Sequence, residues 1–210
     1  MQPGDFSLYL ITDRYQTCGR PLQEVVRQAL AGGVRWVQLR EKDLSSAELY
    51  HLAGEMRRIT SDYGASLIIN DRIDIALSVH ADGVQIGIRS LPVARVRKML
   101  AQGQIIIYSA HAVAEAEFAQ REGADLVTFG PVYHTPSKAG YGAPCGVEGL
   151  TVAAQTLNIP VIALGGINLE NISDVLSADV RGAAVISAIM AAADPTVAAE
   201  SLLKKIEELA

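Results

Sequence analysis

Short apolar runs rich in β-branched residues recur along this chain, and segments with helical spacing lie between them. The runs predict eight strands, at Ser7–Thr12, Trp36–Arg40, Ser66–Asn70, Gly83–Gly87, Ile105–Ser109, Leu126–Gly130, Val161–Gly165 and Ala183–Ser187. The helical spacing predicts helices at Leu22–Ala31, Ser46–Tyr63, Ile73–Ser78, Pro92–Ala101, Val113–Glu122, Glu148–Thr156, Leu169–Leu176 and Pro195–Glu208. Strands that alternate with helices are typical of a parallel sheet. The pattern therefore predicts the α/β class.

Eight strand–helix units in 210 residues favour a (β/α)8 TIM barrel, formed as a single domain over residues 1–210. A doubly wound open sheet is the other fold with this alternation. That fold carries a Gly-x-Gly-x-x-Gly turn after a strand, and no predicted strand is followed by one. No linker or low-complexity tract divides the chain. We therefore expect the barrel.

The stretch Val34–Asp43 ends an apolar strand with polar residues at alternate positions, namely Gln38, Arg40 and Lys42. In an extended strand these three side chains point to one face. Unpaired charge is costly to bury, so a cationic face at a strand end indicates an anion site. The other interpretation is an ordinary strand end that runs into solvent.

The composition argues against two classes of partner, nucleic acids and membranes. A net charge of −5 and a pI near 5.4 argue against a nucleic-acid partner, which needs a basic surface. The sequence has no apolar run of about 18 residues and no secretion signal at its start, so we expect no membrane partner and a cytoplasmic location. A homo-oligomer is possible, although no helix face stands out as an interface.

In a TIM barrel, the active site lies at the carboxyl ends of the strands. The candidates there are Gln38, Arg40, Lys42, Asn70, Asp71, Ser90, Ser109, His111, Thr135, Ser137, Lys138, Gly165, Gly166, Ile186 and Ser187. Cationic side chains, hydroxyls and the backbone N–H groups of glycine-rich turns all donate hydrogen bonds to phosphate oxygens. The set therefore predicts a phosphate-binding site, with the long irregular stretch Pro131–Gly146 as a binding loop.

Four stretches, Gln38–Asp43, Ile68–Arg72, Gly130–Lys138 and Ala163–Ile167, are similar to the signatures of the thiamine phosphate synthase superfamily. The resemblance implies two possible enzymes. The synthase joins a hydroxymethylpyrimidine diphosphate to a thiazole phosphate with the help of Mg²⁺. The related TenI-like thiazole tautomerase aromatises a thiazole carboxylate phosphate and needs no cofactor.

The resemblance also implies roles for the candidates. In the synthase, the diphosphate and pyrimidine would be held by Gln38, Arg40, Lys42, Asn70, Ser109, Thr135, Ser137 and Lys138. Asp71 would be a Mg²⁺ ligand, and the thiazole phosphate would be held by Gly166, Ile186 and Ser187, with Gly165 a further phosphate-binding candidate. In the tautomerase, His111 would be the catalytic residue, because histidine can both accept and donate a proton near neutral pH.

One departure from the synthase pattern favours the tautomerase. Synthases usually carry a second acidic Mg²⁺ ligand after the fourth strand, where this chain has Ser90. Because Mg²⁺ prefers anionic oxygen, a hydroxyl there should weaken the metal site. The retained Asn70-Asp71 pair keeps the synthase open as the alternative. A third hypothesis is a regulatory protein that binds a phosphate ligand without catalysis.

Overall fold

Eight parallel strands close into a barrel in which each strand pairs with its neighbour in sequence and β8 pairs with β1. The structure, a computed structural model, describes residues 7–135 and 143–209. The strands are β1 (Leu8–Ile11), β2 (Trp36–Leu39), β3 (Ser66–Asn70), β4 (Gly83–Gly87), β5 (Ile105–Ala110), β6 (Leu126–Phe129), β7 (Val161–Leu164) and β8 (Gly182–Val185). The predicted (β/α)8 barrel is confirmed, and the doubly wound alternative is wrong.

Helices follow the strands around the outside of the barrel. They are α1 (Leu22–Ala31), α2 (Ser46–Asp62), α3 (Ile73–Ser78), α4 (Val93–Met99), α5 (Val113–Arg121), α6 (Gly146–Thr156), α7 (Ile172–Leu176), α8 (Ser187–Met190) and α9 (Pro195–Glu207). Side-chain caps fix several starts: Ser45 and Glu48 form a capping box on α2, and Asp194 caps α9. No helix in the described ranges is both long and apolar enough to cross a membrane.

The buried side chains form two layers that follow from the alternation of each strand. Leu8 and Leu10 face outward and pack under the helices, while Tyr9 and Ile11 face inward. The inner layer continues around the ring with Trp36, Ile68, Ile107, Leu126, Ile162 and Ala184. A filled interior of this kind leaves room for a ligand only at the ends of the barrel.

Several predicted strand ends are wrong by one or two residues, because the backbone there already leaves the extended conformation or begins a helix. Gly165 lies beyond β7 because its φ of +109° leaves the extended region. Ser187 was predicted as the last residue of the eighth strand, but it begins α8. A short 3-10 helix at Arg14–Gln16 was also missed. These ends lie at the carboxyl side of the barrel, where polar residues interrupt the strand pattern.

The helices α1 and α9, which complete the outer ring, are in close contact at Gly32. A Cβ atom at Gly32 would lie 2.4 Å from the backbone oxygen of Thr196 in α9. Beside it, the Thr196 hydroxyl donates a hydrogen bond to the backbone oxygen of Gln28, at 3.0 Å. The absence of a side chain at position 32 therefore lets α9 lie directly on the end of α1.

We expect Gly32→Ala to lower the free energy of unfolding by about 1–3 kcal/mol, because the added methyl group meets backbone that cannot move alone. Gly54→Ala is the matched control. A Cβ at Gly54 meets nothing within 4 Å in the middle of α2, so that change should stabilise the protein by about 0.5–1 kcal/mol. Urea denaturation of both variants measures the difference, and equal effects would contradict the close packing.

Candidate active site

One cavity at the carboxyl ends of the strands is lined by every predicted site residue that the structure describes. These are Gln38, Arg40, Lys42, Asn70, Asp71, Ser90, Ser109, His111, Thr135, Gly165, Gly166, Ile186 and Ser187. Ser137 and Lys138 lie outside the described residues. The barrel therefore gathers residues that are up to 149 positions apart in sequence, from Gln38 to Ser187, at one opening.

Positive charge is concentrated on one side of the cavity, at the ends of β2 and β4. Arg40, Lys42 and Arg89 line the wall there. Burial lowers the pKa of Lys42, the charges of Arg40 and Arg89 lower it further, and Asp71 partly opposes them. Neighbouring cations repel one another, and an anion that binds between them relieves this repulsion. This side of the cavity is suited to a multiply charged anion such as a diphosphate.

Asp71 lies among these cations and is held by its neighbours. Its Oδ1 accepts a hydrogen bond from the Ser90 hydroxyl, and its Oδ2 accepts one from Asn70 Nδ2 at 3.3 Å. Ser90 in turn accepts a hydrogen bond from the Gly87 N–H at 2.8 Å. Asp71 has a φ of +60°, a left-handed conformation that aspartate and asparagine tolerate better than other side chains. The carboxylate is thus placed by both backbone and side chains.

The fit of this corner to Mg²⁺ depends on its oxygen donors. Among the described residues, no group of three or more His, Cys, Asp and Glu side chains forms a metal site. Asp71 offers a carboxylate and Ser90 a hydroxyl. Mg²⁺ is often bound by one or two carboxylates together with substrate phosphates and water. These residues therefore fit a Mg²⁺ ion whose remaining ligands come from a bound diphosphate.

The opposite side of the cavity has a different character. Gly165 and Gly166 follow β7 with positive φ, and Ile186 and Ser187 lie where β8 passes into α8. The first N–H groups of a helix have no partners within it, so they are available to an anion. The loops after the seventh and eighth strands, with a short extra helix, are a frequent phosphate site in TIM barrels. This part of the cavity is therefore suited to a second anion.

The floor between the two sides is a buried polar network. Gln38 Nε2 donates to Tyr9 Oη at 2.8 Å and to Gln85 Oε1 at 2.6 Å. Tyr9 donates to the same Gln85 oxygen at 3.0 Å, and Gln85 Nε2 donates to Thr128 at 3.1 Å. All four residues are buried. Each amide orients the other, so their conformations are mutually fixed.

In this arrangement one hydrogen-bond acceptor of the network, a side-chain oxygen, has no partner among the described residues. The Oε1 atom of Gln38 is buried and has no hydrogen-bond partner among the described residues. Because an unsatisfied buried carbonyl costs about 1–3 kcal/mol, such atoms commonly meet a ligand or a water. Gln38 lines the cavity. Its carbonyl is therefore a candidate acceptor for a ligand N–H group or a water.

His111 lies past the end of β5 at the edge of the cavity. Its Nδ1 lies 2.5 Å from the Gly130 carbonyl oxygen, and its backbone N–H donates to Glu115 at 2.9 Å. A carbonyl can only accept, so Nδ1 carries the hydrogen, and in the neutral ring Nε2 is the basic nitrogen. The ring is held in an orientation that would allow proton transfer through Nε2.

The sequence did not reveal part of the cavity lining or the buried network beneath it. Gln85 and the inner-facing Tyr9 and Thr128 were taken as ordinary strand residues, although a glutamine inside the apolar run Gly83–Gly87 was a usable signal. Asp13 and Gln16, which also line the cavity, come from the loop after β1, where no site was predicted. The network was hidden because Tyr9 is equally typical of an apolar core.

Comparison with known proteins is consistent with this geometry. A family model described as thiamine monophosphate synthase matches residues 8–189. A putative thiamine-phosphate synthase of Geobacter sulfurreducens is 54% identical over 203 residues, covering 97% of this chain and 95% of that protein. A thiamine-phosphate synthase of Pyrococcus abyssi is 45% identical over 202 residues, covering 96% and 95%.

A solved structure matches equally well along the chain. Thiamine phosphate pyrophosphorylase from Pyrococcus furiosus superimposes with a TM-score of 0.90 and 39% identity, covering 99% of this chain and 98% of that one. These relatives are named as synthases, so the expected closer relation to the tautomerase branch is not supported. That expectation depended on the single residue Ser90, which is weak evidence beside similarity over the whole chain.

Proposed function

Because this chain belongs to the thiamine monophosphate synthase family, whose enzymes serve thiamine biosynthesis, we propose that it is a thiamine phosphate synthase. It would join hydroxymethylpyrimidine diphosphate to thiazole phosphate and release diphosphate. The observation that carries the proposal is that two groups of residues suited to anions line one cavity. Arg40 and Lys42 follow β2, whereas Gly166 and Ser187 follow β7 and β8. A reaction between two phosphorylated substrates needs both groups, and an isomerisation of one substrate needs only one.

The cationic side would bind the diphosphate of the pyrimidine substrate. Arg40, Lys42 and Arg89 would stabilise negative charge that grows on this group as the carbon–oxygen bond breaks. Asp71, oriented by Ser90 and Asn70, would hold Mg²⁺, which supplies further charge neutralisation for the leaving diphosphate. Asn70, Ser109 and Thr135 line the same cavity and would add hydrogen bonds.

The floor would orient the pyrimidine ring. The Oε1 of Gln38, which has no partner among the residues described, would accept a hydrogen bond from the exocyclic amino group of an aminopyrimidine. The thiazole phosphate, anchored by the backbone around Gly166 and Ser187, would then present its ring nitrogen from the other side. Holding both substrates in this way replaces a chance encounter by a fixed approach, which contributes strongly to such reactions.

One observation favours a second candidate, the thiazole tautomerase. His111 has its Nδ1 hydrogen-bonded to the Gly130 carbonyl, so in the neutral ring Nε2 is the basic nitrogen through which a proton would be taken and returned. This enzyme would need neither Asp71 nor Mg²⁺. In the synthase, the same histidine would instead contact the diphosphate or line its cavity.

A paired turnover assay on the purified protein tests the proposal. One reaction supplies hydroxymethylpyrimidine diphosphate, thiazole phosphate and Mg²⁺, and the other supplies the non-aromatic thiazole carboxylate phosphate with a chelator. We expect thiamine phosphate in the first reaction, and its loss when the chelator is added. Aromatisation in the second reaction, abolished by His111→Ala, would favour the tautomerase. Binding of both phosphates without any turnover would favour the regulatory protein.

A further inference from the structure

The side chains that follow β2 point alternately toward and away from the cavity, without a strand to impose the alternation. β2 ends at Leu39, yet Arg40 and Lys42 both line the cavity. Glu41 and Asp43 are not among the described residues that line it. Outside a sheet, the backbone does not fix the direction of successive side chains. Other contacts must therefore hold this segment in its alternating form.

Glu41 provides the first of these contacts. It is only 4% exposed, and its carboxylate accepts hydrogen bonds from the Thr12 hydroxyl at 2.7 Å and from the Arg14 N–H at 3.2 Å. The Thr12 hydroxyl also accepts a hydrogen bond from the Arg40 N–H at 3.0 Å. One hydroxyl thus binds the backbone of Arg40 and the side chain of the next residue. Glu41 is thereby turned away from the cavity and toward the loop after β1.

Arg14 extends these contacts to Asp43, the second residue that points away from the cavity. Its Nη1 donates to Glu41 Oε2 at 3.2 Å and to Asp43 Oδ1 at 2.8 Å, and Nη2 donates to the other Asp43 oxygen. The Tyr15 hydroxyl also donates to Asp43, at 2.6 Å. Arg14 and then Tyr15 lower the pKa of Asp43 to about 2. The Arg14 guanidinium therefore binds the side chains of residues 41 and 43. In sequence, residue 41 lies between the two cavity cations and residue 43 follows them.

We propose that Arg14 and Glu41 are positioning residues, which orient Arg40 and Lys42 toward a bound diphosphate. This inference rests on the proposed function, because it assigns the diphosphate to the side of the cavity that Arg40 and Lys42 line. Arg14 is not among the described residues that line the cavity, so it acts through the segment it holds. With Glu41 released, the segment after Leu39 can rotate, and the two cations lose their common direction.

Glu41→Gln tests this role by direct binding. Glutamine keeps the size of the side chain and one acceptor for Thr12, but its amide nitrogen cannot accept from Arg14. We expect the Kd of inorganic diphosphate with Mg²⁺, measured by calorimetry, to rise about tenfold. The Kd of thiazole phosphate should change less than about twofold, since its proposed anchors at Gly166 and Ser187 follow β7 and β8 and do not belong to the segment after β2 that Glu41 holds.

Asp82→Asn is the matched control. Asp82 precedes β4 at the amino end of the barrel, and its carboxylate accepts hydrogen bonds from Arg57 at 2.6 Å and from the Leu67 N–H at 2.7 Å. It therefore resembles Glu41 in being bound by one arginine and one backbone N–H. We expect the control to lower thermal stability while the Kd of diphosphate stays unchanged. A similar loss of diphosphate binding in both variants would show a general structural effect and overturn the positioning role.

A second pair of variants keeps the test decisive if Glu41→Gln does not fold. Arg14→Met removes the contact to residues 41 and 43, whereas Arg14→Lys retains a positive charge that can hold one carboxylate. We expect the methionine variant to weaken diphosphate binding about tenfold and lysine to restore part of it. Equal diphosphate affinity in wild type and Arg14→Met would overturn the inference.

The same measurements separate this inference from the proposed function. If the wild type binds diphosphate and thiazole phosphate and the variants lose neither selectively, the positioning role fails and the synthase stands. If the wild type binds neither probe, the synthase proposal fails, and the role of Arg14 and Glu41 fails with it.

Discussion

Replacement of Asp71 by asparagine is expected to slow thiamine phosphate formation by about a hundredfold or more, the scale at which loss of a charge-stabilising group acts. Asp71 lines the same cavity as the cations Arg40, Lys42 and Arg89, and its carboxylate fits Mg²⁺. Asparagine retains the left-handed backbone that this position requires, so the change removes charge without straining the chain. Steady-state turnover across a range of Mg²⁺ concentrations measures the effect.

Asp179→Asn is the control for this prediction. Asp179 has a φ of +57°, close to that of Asp71, but it lies before β8 at the amino end of the barrel. We expect normal turnover in this variant. If Asp71→Asn keeps its full rate and its response to Mg²⁺, the assignment of Asp71 to the metal is wrong.

The opposite change, Ser90→Asp, should lower the Mg²⁺ concentration needed for half-maximal binding, measured by calorimetry in the presence of diphosphate.

We expect Gln38→Met to lower kcat/KM for hydroxymethylpyrimidine diphosphate by about a hundredfold, because a buried site built to bind a polar group discriminates strongly when that bond is lost. Methionine nearly preserves the volume but removes both Oε1, which has no partner in the described part of the chain, and the donor to Gln85. Inorganic diphosphate lacks the pyrimidine ring, so its Kd should remain close to that of the wild type. Comparing the two ligands therefore tests ring recognition separately from anion binding.

Thr128→Val controls for damage to the buried network. It removes the hydroxyl that accepts from Gln85 Nε2 at 3.1 Å and leaves Gln38 with both of its own partners. We expect a loss of stability with little change in kcat/KM. If Gln38→Met weakens inorganic diphosphate as much as the pyrimidine substrate, then Gln38 supports the cation side and does not recognise the ring.

The barrel was predictable because each strand–helix unit repeats the same pattern, so an error at one boundary does not change the count. The cationic residues Arg40 and Lys42 were predictable for a related reason, since their spacing alone indicates a common face. Glu41 was not, because its partners Thr12 and Arg14 come from another loop and only the closed barrel brings them together. Long-range hydrogen bonds leave no local signal in the sequence.

The choice between the two enzymes could not be made from the residue pattern alone. Ser90 was weighed as a lost metal ligand, which is sound chemistry for a site formed by protein alone. In the structure, Ser90 binds Asp71 and the Gly87 N–H, so the hydroxyl supports the remaining carboxylate. A diphosphate can itself supply metal ligands. Whether one carboxylate suffices therefore depends on the substrate, which the residue pattern does not contain.

The contact of α1 with α9 at Gly32 has a consequence for how the protein is synthesised. β1 pairs with β8, and α9 covers the end of α1, so the first strand obtains its second neighbour only when the last strand–helix unit is present. On the ribosome, β1 and β2 emerge long before that unit does. An unpaired strand edge is prone to pair with other chains. The nascent chain therefore depends on protection of this edge until β8 and α9 have left the exit tunnel.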